Sequence, residues 1–185
     1  GSGRSGRRDG RRLTSFRQPD AEQVKRPESG APARLMGLRE AAQAALAGTT
    51  DPDPILQRRL HAPVPTESAA ATDAEERLVV ACLAASVPVP RPNLAAAVRT
   101  SLARWEAEHP GKLVEVRVPP FGAIQIGIVG VASAHTRGTP PNVVETDAAT
   151  WLALTSGQLT WQQALAGHRV RASGAHADLA DLLPA

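Results

Sequence analysis

Apolar and polar residues alternate strictly in two short stretches of the C-terminal half, 114–118 and 124–128. A period of two is typical of a β-strand that buries one face. A turn that contains Pro119 and Gly122 separates the stretches, so they predict an antiparallel hairpin with both apolar rows on one face. The apolar positions are Val114, Val116, Val118, Ile124, Ile126 and Ile128.

The N-terminal half shows apolar residues at helical spacing instead. This spacing predicts a helix over 35–48 and a helical turn near 55–60. Thr72 and Glu75 have the spacing of a capping box, which predicts that a further helix opens there. The alternating prolines of 87–92 favour an extended linker, and we place a domain boundary at its end.

The segment after the linker predicts a mixture of helices and strands. Asn93 is a favourable N-cap for a helix that ends near His109, and Asp147 and Thr160 are predicted N-caps of two later helices. The other predicted elements are a strand at 143–146, a strand at 169–173 and a final helix with Leu179, Leu182 and Leu183. Mostly antiparallel strands with helices in blocks predict an α+β fold with helices on one face of a sheet.

The segment 1–34 differs from the rest of the chain in charge and hydrophobicity. It holds nine basic and four acidic side chains, whereas 35–185 holds twelve basic and fourteen acidic ones. Because it has few large apolar residues to offset the entropy of ordering, we expect a disordered basic tail, with a cloning remnant at 1–3. The remainder is slightly acidic, which argues against a specific nucleic-acid partner.

Several classes of function find no support in the residues. No stretch approaches the roughly 20 apolar residues of a membrane span, and no secretory signal pattern is visible. The single cysteine, Cys82, fits a reducing cytoplasm and is expected in the core. There is no nucleophile elbow, phosphate-binding loop or zinc-ligand spacing in the sequence. We therefore predict no catalytic residue, no metal and no cofactor.

Three segments together carry a recognisable pattern. The segment 147–174 runs as an acidic cap, a helix, the motif Thr-Ser-Gly-Gln-Leu, a second helix and a strand. It resembles the C-terminal half of the sterol carrier protein-2 family. With 114–122 and 135–146 included, the stretch is similar to a bacterial, largely actinobacterial, branch of that family.

The resemblance covers 93–185 and implies a fold and a function. The implied fold is a five-stranded, mostly antiparallel sheet with helices over one face and a hydrophobic tunnel between them. The implied function is non-catalytic binding or carriage of a fatty acyl chain, an acyl-CoA or a sterol-like molecule in the cytoplasm. Residues 35–92 form a helical extension and a proline-rich linker, and their role stays open.

The predicted ligand site combines an apolar wall with a polar mouth. The ligand-binding set is Val116, Val118, Phe121, Ile124, Ile126, Ile128, Trp151, Leu154, Trp161 and Leu165, with His135 and Arg137 at the mouth. The same apolar residues would equally form a filled core. Arg137 would equally pair with Glu145 or a helix C-terminus, and the pattern leaves these interpretations open.

Two alternative functions stay open beside lipid binding. The chain could be an accessory domain of an enzyme that resembles the mycothiol-dependent isomerases, although His61 is the only histidine before His109. It could also be an interaction or structural domain with a closed core, with homodimerisation through the hairpin edge or through the helices of 35–86. A bound divalent metal would favour the enzyme, and the absence of a ligand-sized cavity would favour the closed core.

Overall fold

The computed structural model describes residues 30–131 and 142–184. Within these residues, helices dominate the N-terminal part, and strands and helices follow each other after residue 113. The elements are α1 Ala31–Ala45, α2 Pro54–His61, α3 Ser68–Ala84, α4 Arg91–Glu108, β1 Val114–Val118, β2 Gly122–Ile126, β3 Asn142–Thr146, α5 Ala148–Thr155, α6 Trp161–Ala166 and β4 Val170–Ser173.

Two helix starts in the N-terminal part differ from the sequence prediction. Helix α1 begins at Ala31, so Arg34, which we assigned to the tail, is helical. Helix α3 begins at Ser68, and the Thr72 hydroxyl donates to the carbonyl of Ser68 inside the helix. The predicted capping box is wrong, because the helix has already begun four residues before Thr72. The Glu75 carboxylate instead accepts hydrogen bonds from Arg34. The rest of the predicted tail, 1–29, lies outside the described residues.

The start of α4 also differs from the expectation. The helix begins at Arg91 behind Pro90, so the predicted linker is shorter and Asn93 is not its N-cap. Asn93 is buried, and its side-chain amide donates to the Glu75 carboxylate at 2.8 Å and to the Arg34 carbonyl at 3.0 Å. A residue that is favourable as a cap is used here to join three helices.

The described strands form one mixed sheet in the order β2-β1-β3-β4. The β1–β2 hairpin is antiparallel as predicted, and β3–β4 is antiparallel as well. The central pair β1–β3 is parallel, with Val116 opposite Val144. Five strands were expected from the family resemblance, and the described residues contain four.

The second strand of the hairpin ends two residues earlier than predicted. It stops at Ile126 because the Gly127 amide donates to the His109 carbonyl at 2.9 Å instead of continuing the ladder. At this point the chain passes so close to Gly111 that a Cβ added to Gly111 would lie 2.5 Å from the Gly127 Cα. Ile128 is therefore half-buried outside the strand.

The caps predicted in the C-terminal part are confirmed. Asp147 accepts a hydrogen bond from the Thr150 amide at the start of α5, and Thr160 and Gln163 form a reciprocal capping box at α6. The predicted final helix is only a short 3₁₀ turn, Ala180–Leu182, next to the buried Leu179. Three residues make a single turn, which is the usual length of this tighter helix.

The helices pack on one face of the sheet in layers. Helix α4 contacts β2 and α6 contacts β4, α3 packs on α4 and α5, and α1 and α2 pack on α3. One continuous apolar core runs through all layers, from Leu35 in α1 through Leu78 in α3 to Val116 in β1. The N-terminal helices are therefore docked on the sheet-containing part, a point that the sequence left open.

Candidate functional site

The predicted apolar wall lies at the centre of the core. Val116, Val118 and Ile126 are 0% exposed, and Ile124 is 8% exposed. Trp151 and Leu154 of α5 belong to the same core cluster as these strands and are each 1% exposed. A tunnel wide enough for an acyl chain would leave accessible surface on its walls, so these side chains pack against their neighbours without such a gap.

A tryptophan pair reinforces this packing. The ring of Trp105 in α4 meets the ring of Trp151 edge to face, with 5.0 Å between centroids and an angle of 70°. This is a favourable geometry for aromatic rings. Trp105 is not among the predicted site residues. Within 30–131 and 142–184, the buried indole nitrogens of Trp151 and Trp161 have no hydrogen-bond partner.

Two other residues that we predicted for the ligand site are not part of this fully buried wall. Phe121 is half-buried at the hairpin turn, where the Arg91 guanidinium lies 5.5 Å from its ring centroid. Leu165 is 39% exposed and faces a surface depression beside β4 with Val143 and Arg171. The predicted mouth, His135 and Arg137, lies outside the described residues.

A groove opens instead between α3 and α5, and we call it the seam groove. Its volume is about 490 Å³, within the roughly 300–1,000 Å³ of typical ligand pockets. Apolar side chains make up most of its lining, and two polar residues complete it. The lining residues are Val80, Leu83, Ala84, Ala149, Leu152, Ala153, Gln158, Leu159 and Arg169.

A second depression of about 450 Å³ adjoins the seam groove, and we call it the arginine pocket. The two share the lining residues Val80 and Gln158, so they lie next to each other along α3. Most residues that line the arginine pocket are polar, and the pocket is bounded by α2, α3, α4 and the end of α5. Its lining residues are Ile55, Arg59, Asp73, Glu76, Arg77, Val80, Ala81, Arg104, Thr155, Ser156 and Gln158.

One ion pair and one hydrogen-bonded arginine set the charges around these two pockets. In the arginine pocket, Arg104 donates to both carboxylate oxygens of Glu76 at 2.6 and 3.0 Å, and these hydrogen bonds raise the pKa of Arg104. At the far end of the seam groove, the Arg169 Nε donates to the Thr150 hydroxyl at 3.1 Å. Arg169 also attracts the nearby Asp147 carboxylate and contributes to the lowering of its pKa.

One signal for the seam groove is present in the sequence of α3. Leu78, Val79, Cys82 and Leu83 form one apolar face of this helix, and Val80 beside them is also apolar. An apolar stripe wider than one face indicates a second contact surface. One side of the groove comes from the N-terminal helices and the other from α5, so periodicity alone could not bring them together.

The described residues form neither a metal cluster nor a membrane-spanning helix, and their cysteine is buried. Among them, no group of three His, Cys, Asp or Glu side chains is arranged to hold a metal ion. Cys82 is buried, and desolvation raises the pKa of its thiol to about 11. No helix of the described ranges is long and apolar enough to cross a membrane.

The mixed sheet, covered on one face by helices and preceded by a helical part, defines an α+β domain of the sterol carrier protein type. The model of a family described as bacterial SCP ortholog matches residues 90–185, just over half of the chain. The chain therefore belongs to this bacterial sterol carrier protein family. No curated protein matches the chain.

Proposed function

We propose that the chain binds or carries an apolar small molecule, such as a fatty acyl or sterol-like compound, without catalysing a reaction on it. Membership of the bacterial sterol carrier protein family supports this proposal. The observation that carries it is the seam groove, whose lining is apolar except for Gln158 and Arg169.

The groove offers apolar contact to a hydrocarbon tail. Each methylene group removed from water contributes about 0.8 kcal/mol. A tail of about ten methylene groups would therefore gain roughly 8 kcal/mol if fully buried, and association costs of about 4 kcal/mol would reduce this to the scale of a millimolar complex. Such binding needs no dedicated catalytic group, and one cation at the rim is sufficient to orient an acidic ligand.

We place the ligand in the seam groove rather than in the predicted sheet–helix interface. The groove is open without any movement, whereas Val116, Ile126 and Trp151 would have to separate to admit a ligand between them. Separating close-packed side chains loses their mutual dispersion contacts. The predicted wall residues then act mainly as the rigid support of α5, whose Leu152 and Ala153 line the groove.

A closed-core interaction domain is the second candidate function. The full burial of the predicted wall favours it, because a filled interface leaves no tunnel of the implied kind. The two candidates differ in one measurable respect: only the first requires a bound small molecule. The family match gives no support to the enzyme-accessory alternative.

Native mass spectrometry of the full chain with oleate tests the proposal. We expect a one-to-one complex with the unmodified protein. Ala84→Trp and Ala153→Trp, which fill the groove from α3 and from α5, should each reduce the bound fraction at least about tenfold, since a bulky ring displaces the tail. The matched control is Ala103→Trp, at an exposed position of α4 outside the groove.

Circular dichroism and thermal unfolding would establish that the three variants remain folded. Binding that survives both groove substitutions would place the ligand elsewhere. If the unmodified protein retains no species from a lipid extract and shows no thermal shift with fatty acids or acyl-CoA, lipid binding is wrong and the closed-core function stands.

A further inference from the structure

The side chains that α3 presents to the two pockets change character along the helix axis. The polar ones lie toward its N-terminus and the apolar ones toward its C-terminus. Arg77 and Ala84 are separated by about 10 Å along the axis at roughly 1.5 Å per residue. The polar set is Asp73, Glu76 and Arg77, and the apolar set is Val80, Leu83 and Ala84. Two adjacent pockets along α3 thus differ in their residues, one with charged side chains and the other with mainly apolar ones.

We propose that the arginine pocket binds the phosphate-class head group of a single-chain amphiphile whose tail lies in the seam groove. This inference rests on the proposed function, because the tail must occupy the groove for the head group to reach the pocket. It adds the chemical class of the head group and the residues that recognise it, Arg59 and Arg77.

The charge balance of the pocket favours an anion. Arg104 and Glu76 neutralise each other through two short hydrogen bonds. Among the other charged residues of the lining, Arg59 and Arg77 outnumber Asp73, so the pocket keeps one net positive charge. Both guanidinium-bearing residues are exposed, and each has a planar set of donors that matches phosphate oxygens.

A phosphate group fits two arginines on different helices better than a carboxylate does. Arg59 belongs to α2 and Arg77 to α3, so they approach the pocket from different helices. A phosphate monoester carries close to two negative charges and three acceptor oxygens, so one group can accept from both side chains. A carboxylate has one charge and two oxygens, and a single arginine in bidentate contact already satisfies it.

The far end of the seam groove is less suited to a head group. Arg169 there already donates to the Thr150 hydroxyl, and its charge is offset by Asp147. Arg59 and Arg77 both precede residue 90, where the family match begins. Both arginines of the proposed head-group site therefore come from the N-terminal helices.

Isothermal titration of the full chain with decyl phosphate and 1-decanol, both kept below aggregation, tests this inference. We expect the unmodified protein to bind decyl phosphate at least about tenfold more tightly than decanol, because of the charge-assisted hydrogen bonds. Arg59→Gln with Arg77→Gln should remove this preference and leave decanol binding unchanged. The control, Arg58→Gln with Arg99→Gln, removes the same charge from exposed positions outside the pocket.

The outcomes separate the two proposals. If neither compound binds the unmodified protein, the proposed function fails together with this inference. If decanol binds and decyl phosphate binds no more tightly, the head-group site alone is overturned. The head-group site is also overturned if both double variants weaken the binding of decyl phosphate equally. It is likewise overturned if Arg169→Gln removes the preference for decyl phosphate and the Arg59/Arg77 double variant does not.

Discussion

The sheet and the buried charged junction of α3 with α1 and α4 are built in opposite ways. We call this junction the seam; it is distinct from the seam groove between α3 and α5. In the sheet, apolar side chains face the helices, and the charged residues of the outer face lie toward solvent. At the seam, Glu75 and Glu76 are turned inward and buried beside arginines from neighbouring helices. The sheet therefore depends on a repeating pattern, whereas the seam depends on a few specific partners.

The centre of the seam is Glu75, which is 1% exposed. Its carboxylate accepts from the Arg34 guanidinium at 3.0 Å and from the Asn93 amide at 2.8 Å. These residues come from α1, α3 and α4, so one buried charge joins three helices. A buried carboxylate is tolerated only when it is paired and hydrogen-bonded, so the position of α1 on α3 is specified by chemistry as well as by packing.

The largest loss of stability is expected when Arg34 is replaced. Arg34→Ala leaves Glu75 buried beside Asn93 alone and should lower the free energy of unfolding by about 3 kcal/mol. Adding Glu75→Gln to Arg34→Ala should recover part of this loss, because the uncompensated charge is then gone. Urea unfolding followed by tryptophan fluorescence measures both changes.

The control for this comparison is Arg58→Ala, at an exposed position of α2. We expect it to change stability by less than about 0.5 kcal/mol, as surface substitutions generally do. If Arg34→Ala lowers the free energy of unfolding no more than Arg58→Ala does, the seam charges are solvated. The contrast between the seam and the sheet would then be wrong.

The same contrast explains what the sequence could predict. The bounds of β1 were predicted to the residue, because strict alternation in 114–118 reports one buried face directly. The caps at Asp147 and Thr160 were also predicted, since a cap is a local contact between residues three apart. Local and periodic features are thus accessible from one sequence.

The seam was missed because its contacts are not local. Arg34 and Glu75 are 41 positions apart, and Glu75 and Asn93 are 18 apart. The same residue types have common local uses, which made Arg34 look like part of a basic tail and Asn93 look like a helix cap. The seam groove was missed for the same reason, since it exists only after α3 packs on α5.

An intermediate effect is expected at Asp147, where a local cap joins the sheet to the helical layer. Asp147→Ala removes the cap of α5 and should cost about 1 kcal/mol. Burial raises the Asp147 pKa, but hydrogen bonds from Thr150 and Ala149 and the charge of Arg169 outweigh it, so the pKa is lowered. Because the folded-state pKa lies below the unfolded value of 3.8, the stabilisation is complete above that value and is lost as the pH falls through the folded-state pKa.

Thermal unfolding of the wild type and of Asp147→Ala between about pH 2 and pH 7 should therefore give curves that approach each other at the acid end, where the contribution of the ionised carboxylate is lost. Asp147→Asn keeps a side-chain acceptor without a titrating charge, so its stability relative to Asp147→Ala should vary little with pH. Parallel curves for the wild type and Asp147→Ala would show that the cap does not depend on the ionised carboxylate.

The smallest effect is expected on the outer face of the sheet. Arg171 and Glu145 are opposite each other on β4 and β3, with 3.6 Å between Nη1 and Oε1, and the Arg171 side chain is 88% exposed. Water and salt screen such a pair, so a double-mutant cycle with alanine should give a coupling energy below about 0.5 kcal/mol that vanishes at high salt. The same cycle at Arg34 and Glu75 should give a larger coupling that salt changes little, because buried pairs are screened less. Equal couplings at the two places would mean that burial does not strengthen the pairing, and the contrast between the two regions would be wrong.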